Sequence, residues 1–118
     1  MSTIVTSNVS DGTLSIPTTY VTNGSAKAWV NFNGTGTIAA RDSLNVSSLT
    51  DNGVGLYTAN WSNAFALANY ALALSSSQNE TVYNAAPTTT AAGLASRNSS
   101  GTSADASFAD IWAIGDLA

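Results

Sequence analysis

Apolar and polar side chains alternate over residues 26–33. Ala28, Val30 and Phe32 fall on one face of an extended chain, because successive side chains of a strand point to opposite sides. Two glycines follow, and they predict a tight turn or bulge at the end of the run. The pattern predicts a strand with one apolar face. Its opposite face carries Lys27, Trp29, Asn31 and Asn33.

Two further runs continue the alternation. Residues 44–49 begin as a strand and slip at Ser47-Ser48, which is typical of an inserted bulge residue. Residues 56–61 alternate again, and Asp51-Asn52-Gly53 lies between the two runs. Because Asn, Asp and Gly tolerate positive φ, this tripeptide favours a hairpin. The whole block predicts three antiparallel strands joined by turns.

The flanking segments predict shorter elements. Further strands are predicted at residues 18–22, 70–75, 81–83, 91–96 and 106–114. Residues 62–69 predict one or two helical turns, with Ser62 as the N-cap. In the last strand Phe108 and Trp112 share one face and Ile111 lies on the other. Since a strand that is apolar on both faces is usually covered on both, we expect one of these faces to contact another subunit.

Short strands separated by frequent turns are typical of a sandwich or barrel. We predict an all-β fold, an antiparallel β-sandwich of jelly-roll type, as a single domain over residues 17–118. Residues 1–16 are polar and β-prone, and they predict either an N-terminal arm or an edge strand. As an arm they would attach the protein to a neighbouring protein through Ile4, Val5 and Val9.

The composition indicates a sparse core. Apolar residues make up 44% of the 118 residues, but 20 of them are alanine, and Leu, Ile, Val and Phe total only 24. Charged residues are 8% of the chain, so the high charge that accompanies disorder is missing. We therefore expect a folded domain that gains stability by burying surface against copies of itself.

Charge and residue content argue against several classes of function. A net charge of −4 with three cations cannot neutralise the phosphates of a nucleic-acid partner. The absence of cysteine argues against a disulfide scaffold or a thiolate metal site. No run reaches the ~20 apolar residues of a membrane span, and the first residues lack the pattern of a signal peptide. We expect synthesis in a cytoplasm without an export signal, and no membrane insertion.

No combination of residues predicts catalysis. Histidine and cysteine, which supply the usual base or nucleophile, are absent, and Lys27 has no serine motif near it. Asp51 is explained by its turn and Asp105 by its loop, rather than by a pair of catalytic acids. Asp51-Asn52-Gly53 lacks the further ligands of a calcium loop, and residues 33–36 lack the lysine and helix of a P-loop. We expect no enzyme, no metal and no cofactor.

The aromatic residues offer either core packing or a surface on which sugars stack. Trp29 lies across its strand from the apolar face, and Asn31 lies beside it. We therefore predict a subunit interface or ligand site with Trp29, Asn31, Phe108, Ile111 and Trp112 as its candidate residues.

Three motifs stand close together in the chain, and a fourth lies near residue 118. They are K-A-W-V-N-F-N-G-T-G-T at residues 27–37, R-D-S-L-N-V-S-S at 41–48, T-D-N-G-V-G-L-Y-T at 50–58 and F-A-D-I-W-A-I-G-D at 108–116. Together they resemble a β module found in tail-fibre and related virion proteins of bacteriophages, especially marine ones. The resemblance is dense over about half of the chain. It implies a homotrimer, since fibre-like modules of this kind are trimers about the fibre axis. It also implies synthesis in the bacterial host cytoplasm and a location in the virion, where Ile4, Val5 and Val9 are the candidate attachment residues.

The resemblance implies a non-enzymatic virion structural protein of tail-fibre or spike type, which contacts the host surface or another virion protein. Tail fibres normally carry long shafts, so a short chain also fits a capsid decoration protein, such as a head fibre or cement protein. The third alternative is a carbohydrate-binding domain that recognises a host-surface glycan.

Overall fold

Ten short strands and one helical turn make up the regular structure of the computed structural model, which describes residues 1–118. The strands are β1 (Asn8–Ser10), β2 (Ser15–Pro17), β3 (Ala26–Asn33), β4 (Ala39–Leu44), β5 (Val46–Gly53), β6 (Leu56–Trp61), β7 (Ala71–Ser76), β8 (Glu80–Tyr83), β9 (Ala91–Arg97) and β10 (Ala109–Ile114). The helical turn α1 is Thr19–Thr22.

Eight of the strands form two four-stranded sheets whose inner faces enclose the core. The first sheet has the order β4-β3-β10-β7 and the second the order β5-β6-β9-β8. Every neighbouring pair is antiparallel. The predicted all-β antiparallel sandwich is confirmed. The jelly-roll connectivity is not, since the hairpins β3–β4, β5–β6 and β8–β9 each stay within one sheet.

The core contains few bulky side chains. Half of its fourteen buried hydrophobic residues are alanine. The larger members come from both sheets and from the loop after β6, and they are Val30, Phe32, Tyr57, Trp61, Phe65, Leu94 and Ile111. In β10, Ala109, Ile111 and Ala113 point inward; the alternation predicted that they share a face but not that this face is buried.

The strand predicted at residues 44–49 is two strands in different sheets. Asn45 has a φ of 57° and lies between β4 and β5. Its Nδ2 donates to the Asn63 carbonyl at 3.1 Å, and its Oδ1 accepts from the Asn63 amide at 2.7 Å. The chain therefore crosses from one sheet to the other at Asn45, and the central block has four strands rather than three. The bulge predicted at Ser47-Ser48 is present in β5.

Three other local predictions differ from the structure. Residues 18–22 contain the helical turn α1 rather than a strand. Residues 62–69 contain no helix, because Phe65 enters the core, stacks on Tyr70 at 4.1 Å and pairs with Leu117. The hairpin predicted at residues 51–53 exists as β5–β6, but β5 runs on through Gly53 and the turn falls two residues later.

One buried tyrosine links three loops at one end of the sandwich. The Tyr57 hydroxyl accepts from the Ala106 amide at 3.1 Å, and it donates to Asp105 Oδ1 at 3.1 Å or to the Gly34 carbonyl at 3.2 Å. Asp105 Oδ1 also accepts from the Gly55 amide at 2.8 Å. Burial, reinforced by the nearby Asp105 carboxylate, raises the pKa of Tyr57. Asp105 thus has a structural role.

Residues 1–25 lie outside the sandwich. From here on, the arm means this whole segment, which is longer than the arm predicted at residues 1–16. It contains the β1–β2 hairpin and α1, and its only hydrogen bonds to the sandwich join Lys27 to the adjacent Ser25. The radius of gyration is 16.5 Å, whereas a compact chain of this length would give about 13.5 Å. The longest extent is 51 Å. The arm therefore projects from the end of the sheet at which β3 begins.

Candidate functional site: the outer face of the first sheet

Two tryptophans lie side by side on the solvent face of the first sheet. Trp29 on β3 and Trp112 on β10 are register partners, and Leu44 on β4 is the partner of Trp29 on its other side. The exposed fraction is 47% for Trp112 and 48% for Leu44. Side chains directly opposite on one face have Cβ atoms about 5 Å apart, so the three form one apolar row across the sheet.

A row of hydrogen-bonded polar groups lies beside the apolar row. Asp110 is the register partner of Asn31 on one side and of Ser75 on the other. Asn31 Nδ2 donates to Asp110 Oδ1 at 2.6 Å, and Ser75 Oγ donates to Asp110 Oδ2 at 2.9 Å. Both carboxylate oxygens are thus occupied, and the network fixes the side chains of three strands in place.

Arg41 and Phe108 form the edge of this face. The Arg41 guanidinium carbon lies 3.9 Å from the centroid of the Phe108 ring, a cation–π arrangement. Arg41 also donates to the Ser107 carbonyl at 2.6 Å and to Asn31 Oδ1 at 3.5 Å. The exposed fraction of Phe108 is 55%. Arg41 therefore joins the polar row to the exposed aromatic ring.

The structure places four of the five predicted site residues together, namely Trp29, Asn31, Phe108 and Trp112. Ile111 lies apart from them, because its side chain is completely buried between the sheets. Sequence reasoning did not include Asp110 in this site, although the alternation of the last strand places it between Phe108 and Trp112. It also missed Ser75, whose position on the face depends on the pairing of β7 with β10.

The predicted attachment residues lie on the arm. Ile4 and Val5 are 90% and 92% exposed, and Val9 is half-exposed. Backbone amides of Thr13 and Leu14 donate to Asp11 Oδ1, which lowers the pKa of Asp11. These bonds close the β1–β2 hairpin, whose apolar side chains remain in solvent.

Several other charged residues are dispersed over the molecule and have local partners. Asp51 Oδ1 accepts from the Gly53 amide at 2.9 Å, and Glu80 forms an exposed ion pair with Arg97 at 3.5 Å. Lys27 Nζ donates to Ser25 Oγ at 3.1 Å and to the Ser25 carbonyl at 2.7 Å. Lys27 thus acts as a hydrogen-bond donor at the base of the arm. No helix is long and apolar enough to cross a membrane.

Comparison of the chain with protein-family models, curated proteins and solved structures found no significant match.

Proposed function

We propose that the protein is a non-enzymatic structural component of a bacteriophage virion, of tail-fibre or spike type, and that it assembles as a homotrimer. The virion role is supported by the motifs at residues 27–37, 41–48, 50–58 and 108–116. The observation that supports assembly is the apolar row on the first sheet, in which Trp112 and Leu44 are exposed and Trp29 is partly buried. Exposed apolar patches with a polar rim are typical of interaction surfaces. The polar groups beside the row bond to one another, which suits a surface that binds by complementarity.

The sparse core supports self-assembly. With alanine as half of the buried hydrophobic residues, each chain buries little apolar surface for its length, and contact between copies supplies more. In the proposed trimer, the outer face of the first sheet packs against a neighbouring copy and the arm contacts a sister chain or another virion protein.

Sedimentation of the purified chain tests the assembly. We expect a trimer for the natural sequence and a shift toward monomer for Trp112→Ser, because the serine removes the largest exposed ring of the row. Tyr83→Ser is the matched control, since Tyr83 is an exposed aromatic residue on β8 of the other sheet. An equal effect of both substitutions, or a natural chain that sediments as a monomer, would contradict the proposal.

Electron microscopy of phage particles labelled with an antibody against the chain tests the location. Label at the tail supports the tail-fibre or spike role. Label at the capsid supports the alternative role in capsid decoration, with the same fold and the same assembly. Absence of label from particles that are otherwise intact would contradict both.

A carbohydrate-binding domain is the second candidate, and a specific observation favours it. Aromatic rings next to Asn, Asp and Arg side chains form the kind of surface that stacks on a sugar ring and hydrogen-bonds its hydroxyls. Binding on a glycan array that is abolished by Trp29→Ala and retained by Tyr83→Ser would favour this candidate over a purely structural role.

A further inference from the structure

Three of the four edge strands of the sandwich carry features that hinder pairing with another strand. Edges are commonly protected by charges, bulges or shortness. In β4, Arg41 has no register partner and Asp42 adds a second charge. In β5 the register is interrupted twice. β8 has only four residues, and its Glu80 is paired with Arg97.

The fourth edge strand, β7, has none of these features. Its six residues, A-L-A-L-S-S, are uncharged and pair one-to-one with β10 without a bulge. Leu72 and Leu74 point toward the core but are only partly buried, because no strand lies beyond β7 in the first sheet. A further strand at this edge would pair the free backbone groups of β7 and cover both leucines.

The arm contains a segment that, like the β7 edge, has unpaired backbone groups and incompletely buried apolar side chains. Backbone groups of residues 1–5 make no hydrogen bond, and Ile4 and Val5 are almost completely exposed. Thr3, Ile4, Val5 and Thr6 are four consecutive β-branched residues, the type that favours strands. The segment carries no charged side chain, which matches the uncharged β7 edge.

We infer that residues 2–7 of one copy add to the β7 edge of a second copy as a fifth strand of its first sheet. The inference rests on the self-assembly proposed above. Within residues 2–7, Ile4 and Val5 are 90% and 92% exposed, so strand addition would remove apolar surface from water. Because the arm projects away from its own sandwich, the segment binds to the β7 edge of a second copy rather than to its own.

The geometry agrees with a closed ring of copies. The arm leaves the sheet at the start of β3, the same end at which β10 finishes and β7 begins. Donor and acceptor surfaces are different, so the contact is heterologous, and heterologous contacts can close into a ring. The β7 edge also adjoins the apolar row, since Ala73 is the register partner of Trp112.

Disulfide trapping tests the inference, since the natural chain has no cysteine. A Val5→Cys chain is mixed with an Ala73→Cys chain and oxidised. We expect a covalent heterodimer, because adjacent strands bring Cα atoms within the ~7 Å that a disulfide spans. A mixture of Val5→Cys with Asp42→Cys, on the protected β4 edge, is the matched control and should give no heterodimer.

Each other outcome overturns the inference and says what replaces it. If the protein is a trimer but the Val5→Cys and Ala73→Cys chains do not crosslink, the proposed strand addition is wrong and the proposed trimer is unaffected. Homodimers formed by the Ala73→Cys chain alone would mean that two β7 edges pair with each other. A crosslink that forms only within a Val5→Cys/Ala73→Cys double variant would place the segment on its own sandwich. A monomer at every concentration would remove both proposals.

Discussion

At the residue scale, two tyrosine hydroxyls hold loops against the ends of the strands. Tyr57 joins the segments around Gly34 and Asp105. The Tyr70 hydroxyl accepts from Trp61 Nε1 at 3.1 Å and lies 2.8 Å from the Thr88 carbonyl, to which it can donate. Each ring also packs in an aromatic cluster. Single changes at these contacts are therefore expected to affect the whole sandwich.

Gly34→Ala should destabilise the sandwich by about 1–3 kcal/mol, the usual cost of overpacking. Gly34 has an ordinary φ, so the cost is steric: an added Cβ would overlap the ring and hydroxyl of Tyr57. Chemical denaturation measures the change. In a Tyr57→Leu background, which lacks the outer ring atoms, the same substitution should cost less. An equal cost in both backgrounds would contradict the steric explanation.

Stability should fall in alkaline solution. Burial raises the pKa of Tyr57 and of Tyr70 above the ordinary value near 10. The folded state favours the protonated hydroxyls, so their contribution is complete below pH ~10 and is lost as the pH rises through the folded-state pKa. Thermal unfolding across this range measures the effect. Tyr70→Phe should be less stable at neutral pH but should lose less stability between neutral and alkaline pH; an unchanged alkaline loss would contradict the assignment.

At the scale of elements, the Asn45 corner decides which sheet each strand enters. A positive φ suits Asn or Gly, because other side chains meet the following carbonyl. The two hydrogen bonds with Asn63 then fix the corner to the loop after β6. The alternation of apolar and polar residues does not by itself separate β4 from β5. The positive φ of Asn45 marks the point at which the two strands divide.

Substitutions of Asn45 should separate the contribution of its side-chain hydrogen bonds from the cost of its positive φ. Asn45→Gly keeps the backbone conformation and loses the side-chain bonds, at about 1–2 kcal/mol. Asn45→Ala loses the bonds and adds roughly 1 kcal/mol of backbone strain. Unfolding free energies should therefore fall in the order natural, Gly, Ala. Equal stability of the two variants would mean that the positive φ imposes no cost.

At the scale of the whole molecule, the arm and the sandwich are separate units. The core cluster contains no residue before Ala28, and the arm is a two-stranded hairpin of a kind that is marginally stable by itself. The exposed apolar side chains of the arm thus contribute nothing to the core of their own chain.

Deletion of residues 1–24 should leave the unfolding temperature of the dilute chain unchanged, because no core contact is removed. Solution scattering should show the radius of gyration fall from 16.5 Å to about 12–13 Å. Calorimetry at low protein concentration measures the stability. A marked drop in the unfolding temperature would mean that the arm packs on its own sandwich.

The local pattern predicted strands at residues 26–33, 56–61 and 106–114, of which the last is shorter in the structure, Ala109–Ile114. For the first of these strands it also predicted the apolar face that lies in the core. It also placed Trp29 and Asn31 on one exposed face and Phe108 and Trp112 on another, without showing that the two faces are one. These predictions succeeded because the alternation of a strand is a property of neighbouring residues.

The sequence by itself determined that the chain is all-β, that its turns lie at glycine- and asparagine-rich segments and that its core is rich in alanine. Only the tertiary structure decided that β3 lies beside β10, that Asn45 divides one predicted strand between two sheets and that Phe65 lies in the core rather than in a helix. It also decided that Ile111 is buried while Trp112 faces solvent beside Trp29. The reason is physical: periodicity and turn propensity act over a few residues, whereas sheet order and burial depend on contacts between residues far apart in the chain.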